Sequence, residues 1–380
     1  MKKILITILA LLCLLAGYLM LPSNYALRQM LMYQYPKINQ YPIFENRVVE
    51  ALSPHPWERA VAYNTASFAD SSMTEYGSVA FVVIKDGKLL FESYWDDYSP
   101  QSLSNSFSMA KSIVSLAIGC AIGDGFIEGI DQPAADFFPA FGTYEGDTLR
   151  LRHLLTMSAG VDFEESYSSP FSPTAQLYYG NDLGGITFGM KQNARPGVNF
   201  IYQSGVTQLL AFIVEKAVGE SLSSYVSRKL WTPMHAEENA LWSLDRAEGM
   251  EKAYCCFNTN ARDFARFGQL ILNNGQWDGV QLLPEDYLLE AITPDATLFD
   301  SEYKEPNRRY GLQFWRLEYE GLSIPYMRGL YGQYVFAIPE KNAVIVRLGR
   351  QRGTVDYIHH YPSDINLWLS AGLRIIDAAS

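Results

Sequence analysis

Gly77-Ser-Val-Ala-Phe-Val-Val-Ile84, then Lys85-Asp86-Gly87-Lys88, then Leu89-Leu-Phe-Glu-Ser-Tyr-Trp95, is the stretch that decides the architecture. The first run is continuously apolar, as a strand buried on both faces must be. Asp-Gly is the dipeptide that tolerates two successive positive φ angles, so the chain turns back there as a hairpin. The third run returns beside the first. Working outward, a polar Ser-rich approach (99–106) leads to Phe107–Ile122, which has helical spacing with small residues and stops at Gly123-Asp124-Gly125.

Residues 130 to 250 are expected to be mostly helical. The spacing predicts helices over 152–157, ended by Ser158-Ala159-Gly160, over 207–218, ended by Gly219, and over 222–230, ahead of Pro233. A further helix is predicted over 260–273, before Asn274-Gly275. Beyond residue 308 the period changes to strands over 310–316, 333–338 and 343–348, with a closing helix over 365–376. Strands at both ends and helices between predict an α+β fold: an antiparallel sheet flanked by helices, with an inserted all-helical domain. The expected division is 1–22 hydrophobic helix, 23–75 tether and lead-in, and 76–375 main domain. Within the latter, 76–105 and 255–375 form the sheet and 125–250 the helical insertion.

The chain has 380 residues, 48% hydrophobic and 19% charged, so it folds around a full core without needing staples. Its net charge of -11 argues against nucleic-acid binding, which needs clustered Lys and Arg. Cys13, Cys120, Cys255 and Cys256 lack zinc-ligand spacing, and no metal or cofactor is expected. Adjacent Cys255 and Cys256 are poorly placed to bond each other, so no disulfide is expected.

Met1-Lys2-Lys3 precedes a charge-free run from Ile4 to Leu21. It is long for a signal-peptide core and close to a spanning length. Asn24-Tyr25-Ala26 is a weak cleavage candidate, and Cys13 follows Leu12 rather than a small residue. An uncleaved membrane anchor is therefore expected, with a cleaved signal as the alternative. Lys2 and Lys3 would stay cytoplasmic and the rest of the chain would lie on the far, periplasmic side.

There is no G-x-S-x-G elbow, Walker loop, G-x-G-x-x-G or H-E-x-x-H. His153 and the vicinal pair His359-His360 are expected to be structural. Ser108-Met109-Ala110-Lys111 opens the apolar helix. Residues three apart share a helix face, so the amine can meet the hydroxyl. A buried amine loses its preference for the charged form and can then act as a base toward a hydroxyl. The helix N-terminus adds orphan N–H groups suited to an oxyanion. A second copy, Ser301-Glu302-Tyr303-Lys304, lies in a charged stretch and is expected at the surface. Tyr202 follows the Pro196-Gly197 turn and precedes a helix. Tyr-x-Ser also begins at Tyr76, Tyr167 and Tyr225, so context singles out Tyr202. A phenol near a lysine can exist partly as phenolate and shuttle protons.

Together with His153-Leu-Leu-Thr-Met157-Ser-Ala-Gly160 and Ala261-Arg-Asp-Phe-Ala-Arg-Phe-Gly-Gln269, these segments resemble the serine hydrolases that share the fold of class C β-lactamases and D-alanyl-D-alanine carboxypeptidases. Ser108-Met-Ala-Lys111-Ser112 and Gly329-Leu-Tyr-Gly-Gln333 look most like the 6-aminohexanoate-dimer hydrolase and esterase branch. The resemblance implies that Ser108 is acylated, Lys111 is its base, Tyr202 passes the proton onward and Ser204 hydrogen-bonds within that relay. It also implies that Met327-Arg328-Gly329 occupies, on a strand at the sheet edge, the place of the family's Lys-Thr-Gly. The N–H groups of Ser108 and Leu330 would form the oxyanion hole, Gly329 would permit close substrate approach and Tyr167 would touch an amide substrate. The missing lysine argues against binding a β-lactam carboxylate. The expected partner is a small ester, amide or peptide-like substrate. The alternatives are a carboxypeptidase or β-lactamase, and a non-catalytic sensor on the same fold.

Overall fold

The computed structural model describes residues 2–64, 74–167, 169–356 and 358–379. The hairpin forms as its sequence dictates: Ser78–Lys85 pairs antiparallel with Lys88–Tyr94, and Asp86 and Gly87 both take positive φ. It sits inside a seven-stranded sheet. Across the sheet the strands run Trp315–Tyr319, Leu322–Gly329, Gln333–Ile338, Ala343–Gly349, Ser78–Lys85, Lys88–Tyr94 and Arg59–Asn64. All pairs are antiparallel except the last.

Helices cover both faces. Consecutive strand residues point to opposite sides, and Val344 and Ile345 display this. A Cβ added to Gly268, on the helix Ala261–Leu272, would strike Val344, while one added to Gly372, on the helix Ile365–Ala378, would strike Ile345. Glycine lets each helix backbone approach its face of the sheet. Between the two ends of the sheet lies the helical segment, dominated by the helices Leu151–Leu155, Pro173–Tyr179, Leu183–Gly189 and Ser204–Val218.

Three details depart from expectation. Trp315–Tyr319 forms the outermost strand on its side, so Leu322–Gly329 is one strand in from the edge. Leu322–Gly329 was legible only at its end; Pro325 hides the rest, yet it sits opposite Arg316 within the ladder. The stretch assigned to a tether carries real elements: Asn46–Val49 pairs with Ala240–Ser243, and Arg59–Asn64 joins the main sheet. Finally, Cys255 and Cys256 are bonded to each other across a trans peptide. Vicinal cysteines satisfy the bond here because the backbone adapts, with Cys256 at positive φ.

At the N-terminus, helix α1 (Lys2–Met20) is 19 residues long and exposes its apolar side chains. It is long and apolar enough to cross a membrane. A single turn, Pro22–Asn24, joins it to α2 (Tyr25–Tyr33).

Gly268→Leu should destabilise the fold by about 1–3 kcal/mol, the usual cost of overpacking a dense interface. Urea denaturation followed by circular dichroism checks this; an unchanged midpoint would mean the helix is not seated on Val344.

Candidate active site

Helix α3 (Met109–Gly123) is buried on every side over Met109–Ala121. Such an all-round apolar helix can sit only in the middle of a protein. Phe107, at positive φ, makes the sharp turn into it, held by its N–H on Asn105 Oδ1 at 2.8 Å. Ser108 occupies the N-cap, where a serine hydroxyl ordinarily binds a backbone N–H of the first turn. Here it does not cap. Its Oγ accepts instead from Lys111 Nζ at 3.0 Å.

Lys111 is completely buried. Its amine also donates to the Tyr254 carbonyl at 2.9 Å and lies 5.0 Å and 5.4 Å from the ring centres of Tyr202 and Tyr254. Burial lowers its pKa to about 8, with the Glu165 carboxylate pulling weakly the other way. The next residue after Tyr254, Cys255, carries the vicinal disulfide into the wall of the cavity over Ser108.

Tyr202 arrives on the extended segment after Asn199–Phe200, which brings its ring beside the Lys111 amine. Its ring packs on Trp315, 5.5 Å between centres. Burial first, and Glu165 second, push the phenol well above its ordinary range, against the influence of Ser108 and the charges of Arg328 and Arg352. That direction favours the neutral phenol at rest over the partial phenolate expected from the sequence.

The structure brings Ser108, Lys111 and Tyr202 together. It places the remaining sequence candidates as follows. Ser204 turns to Glu165, with its N–H and Oγ donating at 2.7 Å and 2.8 Å. Tyr167 exposes its ring to the cavity, 62% accessible overall, while its hydroxyl points inward to Glu165 Oε1 at 2.5 Å. Leu330 lines the same cavity, and a Cβ on Gly329 would collide with the Ser106 carbonyl. That glycine is what lets the strand lie against the turn that carries Ser108. Arg328 stacks over Trp315 at 3.5 Å to the ring centre. His153 accepts from the Arg150 N–H and packs beneath Gly197. Ser301 and Lys304 are exposed.

Two residues that hold the site together had no sequence signal. Glu165 faces Ser204 and Tyr167 from a loop that Gln203 pins through the Val161 and Phe163 carbonyls, at 2.9 Å and 2.7 Å. Gln313 ties three helices together. It accepts from Thr207 Oγ1 at 2.7 Å, donates to Leu154 and Leu155 carbonyls, and takes the Ser112 hydroxyl on its own carbonyl at 2.7 Å.

The family model described as Beta-lactamase matches residues 66–363. The chain belongs to the beta-lactamase family. It is 26% identical over 289 residues, 71% of each chain, to the 6-aminohexanoate-dimer hydrolase of Paenarthrobacter ureafaciens. It is 25% identical over 253 residues, 60% of this chain and 57% of the other, to a "Putative D-alanyl-D-alanine carboxypeptidase" of Escherichia coli (strain K12). Among solved structures, "Putative 6-aminohexanoate-dimer hydrolase from Bacillus anthracis" superposes with a TM-score of 0.73 at 23% identity, covering 94% of both chains.

For this beta-lactamase-family site the electrostatics give a signed expectation. If the free amine of Lys111 is required, kcat/KM rises with pH and levels off above about 8, as burial sets its pKa. Glu165 is the influence that raises that pKa. Glu165→Gln should therefore move the acid limb to lower pH. A pH–rate profile that stays in place, or moves upward, would contradict the assignment.

Proposed function

We propose that the chain is a serine hydrolase that cleaves an ester or amide bond through an acyl-enzyme on Ser108. The observation that carries this reading is the buried Lys111 amine, 3.0 Å from a serine hydroxyl that its own helix leaves uncapped. Ser108 Oγ attacks the substrate carbonyl while its proton passes to Lys111 Nζ. The carbonyl oxygen takes the negative charge and is held by the N–H groups of Ser108 and Leu330, aided by the N-terminus of α3. As the tetrahedral adduct collapses, Lys111 returns a proton through the Tyr202 hydroxyl to the leaving oxygen or nitrogen. Tyr202 gives one proton and receives one, so it needs no phenolate at rest. Water then repeats the sequence against the acyl-enzyme and frees Ser108.

Tyr167, with its ring in the cavity, is proposed to contact the acyl or leaving group, and Ser204 with Glu165 to fix the relay's surroundings. The carboxypeptidase relative supports a second reading, peptidoglycan-like or β-lactam substrates. Against it, Met327 stands where the family's lysine would, and the neighbouring Arg328 lies over the Trp315 ring. We infer that Lys2–Met20 is retained as an anchor with the domain outside the cytoplasm. The flanking Lys2 and Lys3 favour that orientation, and the Cys255–Cys256 bond fits an oxidising compartment.

A fluorophosphonate probe should add covalently to Ser108, seen by intact mass and peptide mapping. Ser108→Ala should abolish labelling and turnover with the melting temperature nearly unchanged. Lys111→Ala should cost nearly as much activity, because members of one relay do not act additively. Wild-type protein that is never labelled would sink the hydrolase reading; nitrocefin turnover without hydrolysis of p-nitrophenyl acetate would favour the second one.

A further inference from the structure

We propose that the cavity over Ser108 takes the apolar chain of an amphiphilic ester or amide drawn from the outer membrane-facing surface beside α1. This deepens the hydrolase reading and rests on it. The cavity has a volume of about 730 Å³. One wall is catalytic: Ser108, Tyr167, Ser204 and Tyr254. The opposite wall is α2 and its extension, through Leu27, Met30, Leu31 and Tyr35. The catalytic serine and the helix that follows the apolar segment thus share one chamber.

The attachment of α2 is built on both sides. Toward the body, Ala26 is buried beside Gly180, and the Tyr179 hydroxyl donates to the Gln34 carbonyl at 3.0 Å. Toward α1, the Arg28 guanidinium donates to the carbonyls of Leu19 and Leu21 at 2.5 Å and 2.9 Å. A cation on the last carbonyls of an apolar helix satisfies groups that hydrocarbon would leave unpaired, and it marks the headgroup level. Tyr18, near the end of α1, is exposed beside this junction, as an interfacial aromatic is.

Among the cavity's lining residues, α2 and the segment after it leave apolar side chains uncovered: Leu31 is 60% accessible and Tyr35 73%. An aqueous entrance for a polar substrate has no use for such a lining. A leaflet covers it, and a chain sliding from that leaflet keeps apolar contact on its way to Ser108. Each methylene transferred from water into an apolar chamber lowers its free energy appreciably, so chain length becomes a specificity element.

The experiment uses the full chain reconstituted in phosphatidylcholine–phosphatidylglycerol vesicles. A p-nitrophenyl ester series from acetyl to decanoyl is assayed below micelle-forming concentration, and a decanoyl ester is also supplied within the bilayer. The expected result is a rise in kcat/KM of at least about tenfold along the series, with turnover of the bilayer-borne ester. The double substitution Leu27→Asp, Leu31→Asp should lower the decanoyl-to-acetyl ratio about tenfold or more. As a measure free of folding effects, a long-chain fluorophosphonate ending in a diazirine should label Ser108 in the unaltered protein and, on irradiation, crosslink within residues 27–35. Acetyl preferred over decanoyl, no turnover from the bilayer, or crosslinks confined to other segments would overturn the proposal. In each case Ser108 labelling by a short probe would leave the hydrolase reading standing. Failure of every probe to label Ser108 would remove both.

Discussion

An amine taken wholly out of water loses its hydration, and a fold tolerates this only when the amine is well bonded or gives up its charge. Lys111 is well bonded, and burial lowers its pKa to about 8, so its charge is loosely held. Its two hydrogen-bond partners are oxygens without formal charge, the Ser108 hydroxyl and the Tyr254 carbonyl. Much of the architecture follows from keeping it so. Helix α3 must be enclosed on every side, so three helices and the sheet surround it. The Tyr254 carbonyl must point inward, and the vicinal disulfide stiffens the backbone immediately after it. The neighbouring helices must not drift, and Gln313 fixes them by donating its side-chain amide to the Leu154 and Leu155 carbonyls and accepting the Thr207 hydroxyl. A buried amide satisfied at this many positions is costly to remove, because each partner left unpaired is worth about 1–3 kcal/mol.

The parts of this plan that were legible in sequence share one property: they are local. The Asp86-Gly87 hairpin, the α3 boundary at Gly123, the αL stop at Gly219 and the spacing of Ser108 and Lys111 are all decided within a few residues. What was not legible depends on partners far away. Glu165 has no motif around it and acquires meaning only because Ser204 donates to it across 39 positions. Gln313 reaches Leu154 and Thr207 across more than a hundred. Asn46–Val49 looks like irregular lead-in because its pairing partner, Ala240–Ser243, lies on the other side of the helical segment. Adjacency makes the Cys255–Cys256 bond hard to expect from sequence, and a positive φ at Cys256 supplies the backbone freedom that closes it.

Tyr202 illustrates why proximity alone is a poor guide to ionisation. A lysine nearby favours phenolate only while it is charged, and here burial disfavours its charge. The same enclosure penalises the phenolate directly, and Glu165 adds a like-charge cost. Both neighbours are thus pushed toward neutrality, amine and phenol. Once the amine has lost its proton, above about pH 8, the pair is neutral and can relay a proton without first discharging either member.

Depressed basicity by itself does not make a catalytic lysine, and this chain contains the control. Lys252 is also fully buried, and desolvation lowers its pKa to about 7, further than that of Lys111. Its amine donates to the Leu177 and Gly180 carbonyls, at the C-terminal end of the helix Pro173–Tyr179. That position suits a cation and offers no hydroxyl to deprotonate. Lys252 therefore ties the helix beside α2 to the body. The physics of burial is shared by both residues; what separates them is the neighbour. One amine faces carbonyls and holds a helix, while the other faces an uncapped serine beneath a cavity. On the proposed hydrolase reading, reactivity is decided by Ser108 being left out of its own helix cap, with the lowered pKa of Lys111 as the condition that lets this matter.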